Sequence, residues 1–209
     1  MAKPIYRALY TEAGGTRDAF VPWLLTHRAS PNGAFGLKLH WNQGVGFVRG
    51  ARTNAMAHAR MGTGLRAARS LSRRFEDPVQ VWVNRRDRLG QAISHYRARK
   101  TNQWVQPEGT TVAPRPDSPF DADEIDRSMK WLNRVDGGWE RYFAWLGVAP
   151  VEIVYEELVA NPTAKLAQLG DALGIPVTVE MEPRVERPGN SWSSEMRARY
   201  LEVRGPTAG

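Results

Sequence analysis

The chain of 209 residues contains no cysteine, which excludes disulfide staples, thiolate nucleophiles and cysteine-ligated zinc. A reducing, cytoplasmic address is the corresponding expectation. No apolar run approaches the roughly 20 residues that a membrane-spanning helix needs. The opening MAKPIYRALYTEAGG also lacks the apolar stretch of a signal peptide. Histidine is scarce, and His27, His58 and His95 fall without metal-ligand spacing, so they read as isolated surface or core residues and no metal is expected. Internal repeats and low-complexity tracts are missing too. Acidic residues are outnumbered by Lys and Arg, 22 to 29, for a formal net charge of +7. That surplus suits an anionic ligand or partner without saying whether it is a nucleotide, a nucleic acid or a lipid surface. The arginines from Arg60 to Arg74 read as a solvated basic face, with contact to a nucleotide or nucleic acid as the other reading. With 42% apolar and 24% charged residues, the expectation is one soluble globular domain over 1–209.

What is present alternates between strand-like and helix-like stretches. Asp18–His27 reads as a short helix, and Ser30-Pro31-Asn32-Gly33 as a turn. Ala34–Trp41 (AFGLKLHW) alternates in the strand manner, with Lys38 and His40 on one face. Gly50–Phe75 suggests a loop and then a basic-faced helix. Val79–Val83 (VQVWV) has the β-branched and aromatic content of a strand buried in a sheet. Leu89–Trp104 then reads as a helix with Leu89, Ala92, Ile93 and Tyr96 on one face. Residues 107–119 are polar, Pro-rich and aperiodic, and are expected to form a mobile loop.

Asp121 or Asp123 can cap the next helix, which directs Ile125, Met129, Leu132, Trp139, Phe143 and Leu146 inward. Gly137-Gly138 suggests a kink in it, and Trp131, Trp139 and Trp145 are expected in the core. Val151–Val154 is a third strand. Asn161-Pro162 opens a helix that Gly174 closes, and Ser194–Val203 forms a last one. Strands alternating with helices imply an α/β fold, a parallel sheet flanked by helices.

The chemistry concentrates in Val79–Tyr96 (VQVWVNRRDRLGQAISHY). A strand delivers Arg85, Arg86 and Asp87 at its carboxyl end, where open α/β sheets bind ligands. Ser94 lies two turns into the following helix. An arginine fork and a hydroxyl so placed can donate to one phosphate; the other reading is an Arg–Asp pair on a turn and a serine on a solvated face. Lys38 and His40 can likewise meet one ligand, or His40 can pack beside Trp41. A base titrating near neutrality would suit removal of a hydroxyl proton. Trp41 and Trp104 can stack on a sugar or adenine, and Tyr155, just after a strand, can pack near a cofactor.

Arg85-Arg86-Asp87, Gln91-Ala92-Ile93-Ser94 and Tyr96 resemble the 3′-phosphate-binding segment of sulfotransferases that use 3′-phosphoadenosine 5′-phosphosulfate (PAPS). Among these the bacterial trehalose 2-sulfotransferase-like family is most similar. Pro31-Asn32-Gly33 and Gly36-Leu37-Lys38-Leu39-His40-Trp41-Asn42-Gln43 resemble another segment of that family. Trp139, Tyr155 and Glu186-Arg187…Trp192…Arg199-Tyr200 follow in family order, so the resemblance runs from about Ser30 to Tyr200. It implies the P-loop-like sulfotransferase fold and transfer of a sulfuryl group from PAPS to a hydroxyl of a carbohydrate-like acceptor. Adenosine 3′,5′-bisphosphate (PAP) would be the product. It further implies cofactor binding by Arg85, Ser94, Tyr155 and Arg187, and acceptor contacts at Trp41 and Trp104. Lys38 would assist the reacting centre. Lys38-x-His40 also resembles the Lys-x-His of animal cytosolic sulfotransferases, in which the histidine is the base.

One expected part is missing from Met1–Asn32, a segment that matches poorly over 1–30. Such enzymes begin with a strand and an Arg-Ser-Gly-Ser-Thr-like loop whose amides cradle the 5′-phosphosulfate. Gly14-Gly15-Thr16-Arg17 is the nearest stretch and reads as a plain loop. The expectation is therefore an N-terminally truncated family member with half its cofactor site. Its alternatives are a non-catalytic remnant and a nucleotide- or polyanion-binding protein, with nucleic acid the less favoured partner. An exposed sheet edge would then invite a homodimer.

Overall fold

The computed structural model describes residues 4–41, 75, 78–104, 119–176 and 191–205. The chain divides into two units, Met1–Asp77 and Pro78–Gly209.

In the first unit, α1 (Pro4–Glu12) and α2 (Arg17–Arg28) are joined through Gly14 and Gly15, which take positive φ of 88° and 67°. Thr16 caps α2 by accepting from the Ala19 N–H at 3.2 Å. Ala13, Val21 and Leu24 are buried. Aromatic residues line one side, with Tyr10 edge-on to Phe20 at 5.5 Å and Trp23 stacked on His27 at 4.6 Å. Helix α2 covers the expected Asp18–His27, whereas α1 was not foreseen. The turn at Ser30–Ala34 forms as expected: the Ser30 N–H donates to the Ala34 carbonyl at 2.8 Å, and Gly33 supplies φ 81°. The strand expected over Ala34–Trp41 does not form. Alternation can shape an extended segment, but a strand exists only through hydrogen bonds to a neighbouring strand. No such ladder to this segment is present among the described residues.

The second unit begins with β1 (Val81–Asn84), which pairs in parallel with β2 (Val151–Val154) in the register Val81↔Val151 to Asn84↔Val154. Parallel neighbours need a long crossover, supplied here by α3 (Arg88–Thr101) and α4 (Ala122–Leu146). The short α5 (Tyr155–Ala160), α6 (Pro162–Leu173) and α7 (Ser191–Arg204) complete the described elements. The result is a mixed α/β arrangement, a parallel sheet flanked by helices, as the sequence led one to expect.

Local chemistry explains the helix ends. Asp87 caps α3, Asp121 caps α4 by accepting from the Glu124 N–H at 2.9 Å, and Asn161 caps α6 by accepting from the Ala164 N–H at 3.0 Å. Gly147 (φ 68°) and Gly174 (φ 65°) close α4 and α6 in the left-handed region, where a side chain would be strained. Helix α3 ends at Thr101, so Trp104 lies beyond it, and α4 runs 25 residues unbroken through Gly137-Gly138.

The core of this unit is a three-helix contact. Leu89, Ala92, Ile93 and Tyr96 of α3 meet Ile125 and Leu132 of α4 and Trp192, Met196 and Tyr200 of α7. The Tyr96 ring stacks on Trp192 at 6.5 Å, and its hydroxyl donates to the Pro119 carbonyl at 2.5 Å. Tyr200 donates to Asp126 Oδ1 at 2.5 Å; burial first, and the Asp126 carboxylate second, push its hydroxyl up to about 12.

Two expectations about burial are corrected. Trp82 packs on Phe143 of α4 at 6.0 Å, but alternate residues of β1 point the other way and Val83 is 61% exposed. The strand is thus covered on one face rather than buried on both. Trp131 and Trp145 are exposed instead of lying in the core. They stand off the stripe that buries Ile125, Leu132, Tyr142 and Phe143, the one face α4 turns inward. Residues 50–74, 107–118 and 177–190, with Arg187 among them, lie outside the described residues.

Candidate functional site

Strand β1 ends at Asn84, and the next three residues turn sharply into α3. Arg85 is held there from three sides. Its guanidinium lies over the Tyr155 ring, with Cζ 4.8 Å from the centroid. Its Nε stands 3.4 Å from Glu156 Oε1, and its Nη2 stands 3.8 Å from Asp87 Oδ2. The side chain keeps 28% of its surface open, so the fork is oriented yet accessible. Parallel pairing of β1 with β2 sets Asn84 beside Val154, which brings Arg85 level with Tyr155.

Glu156 is the unforeseen member of the turn. Its carboxylate accepts from the backbone N–H groups of Arg86 at 3.1 Å and Asp87 at 3.3 Å. Partial burial pushes this carboxyl up. The donors at Arg86, Glu156 itself and Asp87, with the Arg85 charge, outweigh that and hold it below its ordinary value. The Arg86 and Asp87 amides are therefore committed to an internal carboxylate. Nearby, Glu157 takes Arg86 and, at 2.6 Å, Lys165.

Asp87 connects the turn to the rest of the unit. One oxygen caps α3 by accepting from the Gly90 N–H at 3.0 Å and also takes the Arg197 guanidinium of α7. Burial raises its carboxyl, but the Arg197 and Gly90 hydrogen bonds and the charges of Arg197 and Arg85 bring it below its ordinary value. Gly90 lies close to both partners: a Cβ there would stand 2.8 Å from Asp87 Cγ and 2.9 Å from Arg197 Nη2, so these side chains would have to shift.

Ser94 is exposed on α3, one turn beyond Gly90 and on the same face. The fold thus gathers Arg85 and Tyr155 and sets Ser94 on the face of α3 that begins at this turn. Trp104 is not gathered with them. It is 59% exposed and follows the end of α3, and its ring folds back to stand edge-on to His95 at 5.8 Å, roughly 10 Å along the helix from the turn at 1.5 Å per residue. His95 in turn stacks on Trp131 at 4.7 Å. Burial, with the charge of Arg99 second, pulls the His95 imidazole below its ordinary value. Lys38 and His40 are exposed and Trp41 is half-buried, all in the first unit.

The Gly14-Gly15-Thr16 stretch is a helix connection. Its Gly14 and Gly15 amides donate to the Thr11 and Tyr10 carbonyls at 3.0 and 2.9 Å, and the Thr16 hydroxyl is spent on Ala19. Among the described residues no cluster of three or more His, Asp or Glu could hold a metal ion, and no described helix is long and apolar enough to cross a membrane.

The sequence singled out Arg85, Asp87, Ser94 and Tyr155, but Glu156, Gly90 and Arg197 were passed over. The acidic pair Glu156-Glu157 just after a strand was a readable signal. For Arg197 none existed, because it reaches Asp87 across 110 positions.

The family described as Stf0 sulphotransferase matches residues 8–202. The trehalose 2-sulfotransferase of Mycobacterium tuberculosis is 35% identical over 195 residues, covering 89% of this chain and 69% of that protein. The trehalose 2-sulfotransferase of Mycolicibacterium smegmatis is 30% identical over 180 residues, covering 85% of this chain and 64% of that protein. With nearly the whole chain matched in one continuous span, the protein belongs to the Stf0 sulphotransferase family.

Proposed function

We propose that this chain is a PAPS-dependent sulfotransferase acting on a hydroxyl of a carbohydrate. The observation that carries the reading is Arg85: a guanidinium at the carboxyl end of a parallel strand, steadied by Tyr155 and Glu156 and open on one side. A planar fork of this kind suits a phosphate, and the Ser94 hydroxyl on the adjoining face of α3 is a second donor for it. The 3′-phosphate of the nucleotide takes this place. Tyr155 keeps Arg85 oriented, and Arg187 joins the cofactor side by resemblance to the family.

In the reaction the acceptor hydroxyl oxygen forms a bond to sulfur while the bond from sulfur to the bridging phosphate oxygen breaks. The hydroxyl proton passes to a base, and PAP departs with the electron pair of the broken bond. His40 is proposed as the base and Lys38 as the cation beside the moving sulfuryl group. Trp41 and Trp104 serve the acceptor. Both relatives are named for trehalose, which makes a disaccharide the first acceptor to try.

A second reading, nucleotide binding without transfer, draws on the committed amides of Gly14 and Gly15, which leave that connection unable to cradle a phosphosulfate.

Calorimetric titration with PAP tests the proposal. A charge-assisted contact is worth roughly 1.5–3 kcal/mol, so Arg85→Ala should weaken saturable binding by about tenfold or more. Binding that Arg85→Ala leaves unchanged would remove the reading. Binding without sulfated product over a panel of sugars would favour the second.

A further inference from the structure

Arg85 faces two carboxylates, and they differ in how they are held. Glu156 is fixed by two backbone donors of the turn. Asp87 has one backbone partner, the Gly90 N–H, and otherwise depends on Arg197, whose guanidinium reaches it from α7. Asp87 Oδ2 is 3.8 Å from Arg85 Nη2. An unneutralised carboxylate in that place would act twice against an incoming anion: it would repel the anion and draw the Arg85 fork onto itself.

We infer that Arg197 is a positioning residue of the anion-binding turn, acting through Asp87. It occupies and neutralises the Asp87 carboxylate, so that Arg85 remains available to a phosphate. A Cβ at position 90 would press on this contact, standing 2.9 Å from Arg197 Nη2. The C-terminal helix α7 thereby takes part in the site although it lies far along the chain from β1 and α3. This inference rests on the nucleotide reading given above.

The experiment is PAP titration at fixed moderate ionic strength on the full chain, with circular dichroism to verify folding. The variants are Arg197→Met, Arg197→Lys and the double variant Arg197→Met/Asp87→Asn. Asparagine preserves a capping oxygen for α3 while removing the charge. Arg197→Met should weaken PAP by about tenfold, the size of one charge-assisted contact. Arg197→Lys, which keeps the charge, and the double variant, which removes the carboxylate, should both return to within about threefold of wild type. A purely structural role would give no recovery on removing Asp87. Wild-type affinity in Arg197→Met, or a double variant as weak as Arg197→Met, overturns the inference alone. If Arg197→Met does not fold, the double variant is compared with Asp87→Asn, and a tenfold difference there overturns it equally. A folded wild-type chain that does not bind PAP overturns the nucleotide reading, and the inference falls with it.

Discussion

A methyl group at position 90 would sit 2.8 Å from Asp87 Cγ, so Gly90→Ala sets two local effects against each other. Alanine gains about 1 kcal/mol over glycine inside a helix. Displacing the Asp87 cap loses about the same amount. The thermal midpoint of Gly90→Ala should therefore move little, while PAP affinity drops by several-fold as the Asp87–Arg197 contact is pushed apart. Thermal unfolding and calorimetry on one preparation check both halves. A large fall in the midpoint with unchanged affinity would mean that the crowding matters to the helix alone. Residues 85, 87, 90, 156 and 197 act as one cluster in this respect, and their substitutions should not add.

At the scale of elements, α3 carries the candidate site at one end and an aromatic cluster further along. His95 stacks on Trp131 of α4 and meets Trp104 edge-on, and burial keeps its imidazole below the ordinary value of 6.5. The unfolded chain then takes up the proton first. The stability linked to His95 is fully present above about pH 6.5 and is lost as pH falls toward the lower folded value. Wild type should lose thermal stability between pH 7 and pH 5, and His95→Gln should lose less over the same interval. Parallel midpoint curves for the two proteins would contradict this.

Over the second unit as a whole, acidic side chains join elements that are distant in sequence. Asp87 ties the first turn of α3 to α7, Glu156 ties α5 to the β1–α3 turn, and Glu157 ties that turn to α6. Burial raises Asp87 and Glu156, but hydrogen bonds and arginine charges bring both below their ordinary values; Glu157 is lowered by Lys165 first and Arg86 second. Groups lowered on folding give stability that is present above the unfolded values, here about 3.8 to 4.5, and lost as pH falls through the folded ones. Unfolding midpoints should thus decline steeply below about pH 4.5, and removing Asp87, as in Asp87→Asn, should make that decline shallower. An unchanged acid limb in the variant would show that the contact contributes nothing to linkage.

The sequence determined the local order of this protein. Short-range rules were enough for α2, the Ser30–Ala34 turn, β2, the Asn161–Gly174 helix and the inward stripe of α3, because caps, turns and helical periodicity are properties of neighbouring residues. They also located Arg85 and Tyr155 as residues that follow strands. Tertiary structure decided what depends on remote partners. Ala34–Trp41 alternates like a strand yet meets no described ladder, and β1, although apolar, is covered on one face. Trp131 and Trp145 stand outside the stripe that α4 buries. The surroundings of Arg85 were settled in the same way. Parallel pairing brings Glu156 to its side, and packing of α7 on α3 brings Arg197 to Asp87. Charge compensation of this kind depends on distance in space, which spacing along the chain does not encode.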